Sequence, residues 1–152
     1  MALREEKMKT HIPPPKVCFV DTSAFYAIEN KNCKEHKEAL GVAGFLEENK
    51  AILVTTDYVL DETYTLLRFT LGHGVAVAFG EEIRKGGIEI VQVDESLQER
   101  AWEIFKRYKD KRFSFTDCTS FAVMERAGIE TAFSFDRDFR QYGFLTLPLE
   151  EP

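Results

Sequence analysis

Short apolar runs alternate with longer helical stretches along most of this chain, and this alternation restricts the possible folds more than any other feature. Runs that are apolar throughout are typical of strands covered on both faces. VCFV (17–20) is such a run, and the other predicted strands are AILVT (51–55), IEIVQV (88–93) and TAFSF (131–135), with FLTL (144–147) as a candidate for a short fifth. The sequence therefore predicts an α/β fold with a mainly parallel central sheet that helices cover on both sides.

The segments between these runs carry helical patterns with recognisable ends. We expect helices over about 22–49 with a break near Asn30–Asn32, over 57–71, from the Gly72-His73-Gly74 interruption to Lys85, over 95–108 and over 116–127. Gly128 follows the last of these and is expected to end it.

The first sixteen residues differ in character from the rest. They are polar and include Pro13-Pro14-Pro15, which favours an extended segment over a helix. The chain of 152 residues is long enough for one domain with a full core. We therefore predict a polar tail over 1–16 and a single domain over 17–152.

Charge and cysteine content limit the classes of function. With 20 Lys and Arg against 26 Asp and Glu, the net charge is −6, so any binding of nucleic acid needs a local basic patch or a metal ion. We find no membrane-spanning stretch and no secretory signal at the start. Cys18, Cys33 and Cys118 are widely spaced and odd in number, which favours reduced thiols in a cytoplasmic protein.

Four acidic residues are candidates for a common site. Asp21 and Asp136 directly follow predicted strands, and Glu62 and Asp117 lie near the starts of predicted helices, on their apolar sides. In open α/β sheets, ligands bind beyond the carboxyl ends of the strands. Each acid also has an ordinary structural explanation: a helix cap for Asp21, a salt bridge for Glu62, a favourable helix dipole for Asp117, and a cap or turn for Asp136.

Repulsion among such acids determines whether a cluster of them needs a bound cation. At about 5 Å, two carboxylates repel by roughly 3 kcal/mol at an effective dielectric constant near 20. Four of them would oppose folding by an amount comparable to the net stability of a domain, unless some are protonated or a cation neutralises them. Oxygen-only ligands favour Mg²⁺ or Mn²⁺ over zinc.

Four segments together resemble the PIN-domain nucleases, and most closely their small VapC-type toxins: VCFVDTSAF (17–25), VLDET (59–63), FSFTDCTSFA (113–122) and TAFSFDRDF (131–139). The resemblance implies a three-layer α/β/α sandwich with strand order 3-2-1-4-5. It also implies metal-dependent RNA cleavage by the acids matched here as Asp21, Glu62, Asp117 and Asp136. Ser23 and Thr116 match hydroxyl residues that would orient carboxylates or water.

The remaining candidates complete the functional hypothesis. Asp138 is a weaker candidate ligand because it follows Asp136 by two positions, and one of the two could simply turn the chain. Lys111, Arg112 and Arg137 are the candidates for contact with RNA phosphates. The resemblance further implies a homodimer and a cognate antitoxin protein.

The sequence thus predicts a metal-dependent endoribonuclease, the toxin of a toxin–antitoxin pair. The alternative is a non-catalytic module of the same fold that binds RNA or a partner protein.

Overall fold

A parallel sheet forms the centre of the computed structural model, which describes residues 13–149. Its strands are β1 (Val17–Val20), β2 (Ile52–Thr56), β3 (Ile88–Val91), β4 (Thr131–Phe133) and β5 (Leu145–Leu147). Every neighbouring pair is parallel, and the order across the sheet is β3-β2-β1-β4-β5. The predicted α/β sandwich and strand order are therefore confirmed.

Helices connect the strands and pack on both faces of the sheet. Within residues 13–149 they are α1 (Thr22–Glu29), α2 (His36–Glu48), α3 (Asp57–Leu71), α4 (His73–Arg84), α5 (Glu95–Arg107), α6 (Phe115–Ala127) and α7 (Asp138–Tyr142). None of these helices is long and apolar enough to cross a membrane. The short α7 has no counterpart among the predicted helices.

Side-chain hydrogen bonds fix where several of these elements begin and end. Thr56 caps α3 by accepting from the Val59 amide at 3.0 Å. The predicted strand over 88–93 ends early, at Val91, and the Val93 amide instead donates to the Asp57 carboxylate at 3.0 Å. The predicted strand over 131–135 also ends early, at Phe133, because the next residues turn towards the start of α1.

A cluster of aromatic rings holds the last part of the chain against the sheet. The ring of Phe121 in α6 meets that of Phe139 in α7 edge-on, with 5.1 Å between the ring centroids. It also stacks on the ring of Tyr142, with 4.4 Å between the centroids. Phe139 also lies 6.0 Å from Phe19 of β1. Because Phe19, Phe121 and Phe139 are completely buried, this packing fixes α7 relative to the carboxyl end of β1.

The strand order creates a crevice between β1 and β4. The chain runs outward from β1 through β2 to β3, and then returns to the other side of β1 for β4 and β5. Ligands bind at such a reversal in open α/β sheets, at the carboxyl ends of the strands. The Asp21 amide donates to the Phe133 carbonyl at 3.1 Å, so the chain segments that leave β1 and β4 begin side by side.

The predicted division into a tail and a domain stays a prediction. Strand β1 begins at Val17, and residues 13–16 before it form no helix or strand. Residues 1–12 and 150–152 lie outside the described part of the chain.

Two glycine substitutions test the predicted end of α6. Gly128 has φ 68°, in the left-handed region, and Gly44 lies within α2; an added Cβ would meet nothing within 4 Å at either position. We expect Gly128→Ala to lower the free energy of unfolding by about 1 kcal/mol, because only backbone strain changes. Gly44→Ala should raise it by up to about 1 kcal/mol. Urea denaturation measures both, and equal effects of the same sign would contradict this account of the helix end.

Candidate active site

Asp21 lies at the centre of the crevice between β1 and β4. Its side chain is 3% exposed and caps α1, and its Oδ2 accepts hydrogen bonds from the hydroxyls of Ser23 (2.9 Å) and Ser134 (3.0 Å). Burial, and then the charge of Asp136, raise the pKa of Asp21 to about 6, while the bonds from both serines act in the opposite direction. The predicted capping role and the predicted position at the site therefore belong to the same carboxylate.

Two serine hydroxyls connect the segments that leave β1 and β4. Ser23 Oγ accepts from the Phe135 amide at 2.9 Å, and Ser134 Oγ accepts from the Asp136 amide at 3.1 Å. The two hydroxyl oxygens also lie 3.2 Å apart. Ser23 is a predicted support of the acids, but Ser134 is not among the predicted residues. Its position at the end of a buried strand, two residues before an acid, was the available signal.

Asp117 is held by the first turn of α6. Ser114 and Asp117 form a capping box, in which each side chain bonds to the other's amide at 3.0 Å. Asp117 is 8% exposed, and burial is the main reason that its pKa is raised to about 8. The Ser114 bond lowers this pKa, whereas a hydrogen bond with Asp138 and the charges of Asp21 and Asp138 raise it.

The role predicted for the Thr116 hydroxyl stays a prediction. The Thr116 backbone carbonyl accepts from the hydroxyls of Thr119 (2.6 Å) and Ser120 (3.1 Å). The hydroxyl that bonds to Asp117 is that of Ser114, which accepts from the Asp117 amide. Sequence reasoning missed Ser114, although a serine three residues before an acid at a helix start is the pattern of a capping box.

Asp136 and Asp138 bring two further carboxylates to the same place. One carboxylate oxygen from each of Asp117, Asp136 and Asp138 lies within 4.8 Å of the others. Asp136 is exposed at the cleft; its pKa is raised by partial burial first and then by the charges of Asp138 and Glu62. Asp138, the weaker candidate in the sequence, therefore belongs to the same group of converging oxygens as Asp117 and Asp136.

Glu62 lies at the rim of the cluster and is exposed. Helical periodicity predicts it on the apolar side of its helix, between Val59, Leu66 and Phe69. That expectation was wrong, because Phe69 is itself 80% exposed, and Thr63 occupies the buried position instead. The Thr63 hydroxyl donates to the Val59 carbonyl at 2.7 Å. Glu62 still acts on the cluster, since its charge raises the pKa of Asp136.

A cavity of about 430 Å³ opens beside these acids, and we call it the Tyr26 cavity. It lies between α1, α3, the connection from α1 to α2, and the segment that follows β4. Its lining residues are Thr22, Ser23, Tyr26, Ala27, Cys33, Glu35, Glu62, Leu66, Phe135 and Asp136.

The three basic candidates lie next to elements of the site. Lys111 and Arg112 belong to the connection between α5 and α6, just before the turn that holds Asp117. Lys111 is half-buried with its Nζ 3.6 Å from Asp110 Oδ2, and Arg112 is exposed. Arg137 is exposed between Asp136 and Asp138. Their contact with RNA phosphates stays a prediction.

The donor set of the site suits a hard divalent cation. Three carboxylate oxygens converge within 4.8 Å, two of the five acids are buried, and the raised pKa values of Asp21, Asp117 and Asp136 show that their negative charge is costly without a counterion. All of these donors are oxygen atoms, as Mg²⁺ and Mn²⁺ prefer. Fold and site together define an α/β protein with an acidic centre at the carboxyl ends of β1 and β4.

Comparison with known proteins identifies the family. The PIN domain family model matches residues 18–145, which include all five acids, and the chain belongs to this family. It is 39% identical over 128 residues to the 23S rRNA-specific endonuclease VapC20 of Mycobacterium tuberculosis, covering 84% of this chain and 95% of the relative. It is 29% identical over 122 residues to a VapC ribonuclease of Archaeoglobus fulgidus, covering 79% of this chain and 77% of the relative. The chain is thus homologous to VapC endonucleases.

Solved structures agree with this assignment. The crystal structure of Mycobacterium tuberculosis VapC20, described as a sarcin–ricin loop cleaving toxin, superposes with a TM-score of 0.76 at 39% identity, over 85% of this chain and 96% of that one. The crystal structure of Rickettsia felis VapBC2 bound to a promoter DNA fragment gives a TM-score of 0.66 at 12% identity, over 86% of this chain and 96% of that one. The second match supports the fold alone.

The buried acids predict how stability depends on pH in metal-free protein. An Asp carboxyl has an ordinary pKa of 3.8, whereas that of Asp21 is about 6 in the fold, so the unfolded chain loses its proton first as the pH rises. The folded state then binds more protons, and the free energy of unfolding should fall between about pH 4 and pH 6, by roughly 3 kcal/mol from this group. Denaturation in EDTA across this range measures the effect.

The matched variants for this measurement are Asp21→Asn and Asp61→Asn. Asp21→Asn should make the decrease smaller, because one of the groups that release a proton is gone while Asp117 and Asp136 remain. Substitution of the exposed Asp61 should leave the decrease unchanged. An undiminished slope in Asp21→Asn would show that burial of this carboxylate does not govern the pH dependence.

Proposed function

We propose that this protein is a divalent-metal-dependent endoribonuclease and the toxin of a toxin–antitoxin pair. The observation that supports this activity most is the group of acids at the carboxyl ends of β1 and β4, whose charges act on one another. Homology to VapC endonucleases supports RNA as the substrate. Because the relative VapC20 acts on 23S rRNA, ribosomal RNA is the first substrate class to test.

We assign the cation to the predicted set Asp21, Glu62, Asp117 and Asp136, and add Asp138. When bound, Mg²⁺ or Mn²⁺ would activate water and stabilise the charge that develops on the scissile phosphate. The oxygen-only donors and the close approach of Asp117, Asp136 and Asp138 support this assignment.

The protein's own groups have distinct tasks in this proposal. Ser23 and Ser134 stabilise the ionised form of Asp21 and fix its orientation, and the Ser114 amide does the same for Asp117. Glu62 is exposed and lines the cavity beside Asp136, so it is placed to orient the attacking water and accept its proton.

RNA must approach a protein of net charge −6, which makes local cations important. Arg112 and Arg137 are exposed and form no ion pair with described residues, so both are available to contact phosphates. Lys111 precedes Arg112 in the sequence, but its Nζ lies 3.6 Å from Asp110 Oδ2.

The proposed protein partners come mainly from the family. VapC-type toxins are usually homodimers inhibited by a cognate antitoxin, and we propose both for this chain, acting in the cytoplasm. On the structure, the exposed rings of Trp102 and Phe105 on α5 stack with their centroids 5.8 Å apart, and this exposed aromatic pair supports a protein contact there. The three unpaired thiols agree with a reducing compartment.

Neighbouring acids on α3 provide a matched test of the activity. We expect cleavage of ribosomal RNA with Mg²⁺ or Mn²⁺, loss of cleavage with EDTA, and a decrease of roughly a hundredfold or more in Glu62→Gln and Asp136→Asn, as for other groups that stabilise transition-state charge. Asp61→Asn should retain activity, because Asp61 is exposed beside Glu62 but is not among the acids that act on the cluster.

Calorimetry with Mn²⁺ separates the enzyme from a non-catalytic binding module. Binding heat that disappears in Asp136→Asn supports the metal site. Cleavage that persists in EDTA, and in both Glu62→Gln and Asp136→Asn, would overturn the proposed metal-dependent activity.

Charge reversal at Arg112 tests the phosphate contact. We expect Arg112→Glu to weaken RNA binding at low salt and to reduce the slope of log affinity against log salt by roughly one. The affinity is measured in an Asp136→Asn background to prevent cleavage. Lys50→Glu is the control, because Lys50 directly precedes β2 and so lies at the opposite edge of the sheet. Equal effects of the two reversals would indicate only a change in net charge.

A further inference from the structure

The Tyr26 cavity adjoins the acid cluster but extends beyond it. Ser23, Glu62 and Asp136 line it on the side of the cluster, whereas Cys33 and Glu35 come from the connection between α1 and α2. At about 430 Å³ it lies within the range of roughly 300–1,000 Å³ typical of small-molecule sites. An RNA whose phosphate lies at the acids would therefore place a neighbouring nucleotide at this cavity.

We propose that the Tyr26 cavity binds the base of a nucleotide adjacent to the scissile phosphate and that Glu35 selects guanine at this position. The inference rests on the proposed ribonuclease activity and goes beyond it by naming a specificity-determining residue.

The walls of the cavity suit a flat base. Tyr26, Leu66 and Phe135 contribute aromatic and aliphatic surface. The Tyr26 hydroxyl accepts from Asn30 Nδ2 at 3.0 Å, and the Phe135 amide donates to Ser23 at 2.9 Å, so the segments that carry both rings are fixed before a ligand enters. Unpaired RNA bases are commonly recognised by stacking on such rings, together with hydrogen bonds to the base edge.

The charge of the lining determines which part of a nucleotide can enter. Glu35, Glu62 and Asp136 all line the cavity, and ionised carboxylates only accept hydrogen bonds. A phosphate would be repelled there, because its charge has the same sign. A neutral base with hydrogen-bond donors on its edge has the complementary chemistry.

Among the four bases, guanine matches a carboxylate best. Its Watson–Crick edge presents two adjacent donors, N1–H and N2–H, which the two oxygens of one carboxylate can accept together. Adenine and cytosine present one amino group beside a ring nitrogen that accepts, and uracil presents one N–H between two carbonyls. Each of these three would place an acceptor against a carboxylate oxygen.

Glu35 is free to serve this purpose. It lies at the cap position of α2 but forms no side-chain capping bond, so the helix does not depend on its carboxylate. Its contact with Lys34 is 3.8 Å long, and the Lys34 side chain is 91% exposed. Such surface pairs contribute little to stability, and Glu35 can exchange this contact for a base.

The experiment compares base preference in three proteins: the wild type, Glu35→Gln, and Glu47→Gln as the matched control on the exposed end of α2. Each cleaves a pool of single-stranded RNA oligonucleotides randomised around one scissile bond, with Mg²⁺ or Mn²⁺, and the products are sequenced. We expect the wild type and Glu47→Gln to prefer guanine at one flanking position by about tenfold or more, since a bidentate contact discriminates to this extent. Glu35→Gln should lose most of this preference, because cleavage next to guanine slows while cleavage next to the other three bases changes little.

A second measurement reports on the cavity without catalysis. Cys33 lines it and is partly exposed, whereas Cys18 and Cys118 are buried, and burial raises their thiol pKa values to about 12 and about 11. Iodoacetamide should therefore label Cys33 selectively. In an Asp136→Asn background, a guanine-containing oligonucleotide should slow this labelling more than the same oligonucleotide with adenine at that position, and Glu35→Gln should remove the difference.

The outcomes separate this inference from the proposed function. If the wild type cleaves no RNA with either metal, the proposed activity fails. If it cleaves without a flanking guanine preference, or if Glu35→Gln keeps the preference and the protection of Cys33, the activity stands and the assignment of Glu35 is overturned.

Discussion

Mutual repulsion among carboxylates is the constraint on which the rest of this structure depends. Burial, and the charges of neighbouring acids, raise the pKa values of Asp21, Asp117 and Asp136, so assembling these groups costs stability. The fold offsets part of that cost with donors placed around the two buried acids: two serine hydroxyls for Asp21, and the Ser114 amide for Asp117. The same two carboxylates cap α1 and α6, which means that the helix starts and the candidate site are built from one set of interactions.

The sheet makes that convergence possible because of its strand order. Since β1 and β4 are parallel neighbours and lie where the winding reverses, the segments that follow them enter the same crevice. The aromatic packing of Phe19, Phe121 and Phe139 then fixes α7, and with it Asp138, against the end of β1. The position of the site therefore follows from long-range pairing and core packing, and only its chemistry follows from the local sequence.

The sequence predicted the elements whose signals are local and strong. Helix α3 begins and ends at the predicted residues, because Thr56 caps its start and Gly72 ends it. Asp21 and Asp136 could be placed together because each follows an apolar run. The exposure of Glu62 could not be read from helical periodicity, since the apolar residues around it include Phe69, which the fold leaves in solvent. Ser134 acts across 113 residues on Asp21, and a contact of that separation has no local pattern.

The five acids differ in how deeply they are buried, and this difference separates fixed carboxylates from solvent-exposed ones. Asp21 and Asp117 are buried and held by several hydrogen bonds, Asp138 is half-buried, and Asp136 and Glu62 are exposed. Rotation of a buried, hydrogen-bonded carboxylate would break bonds that burial makes costly to lose, so the inner pair is fixed in place. The two exposed acids, Asp136 and Glu62, line the Tyr26 cavity. The buried, hydrogen-bonded pair at the base of the cleft therefore keeps a fixed geometry, while the acids at its mouth remain open to solvent.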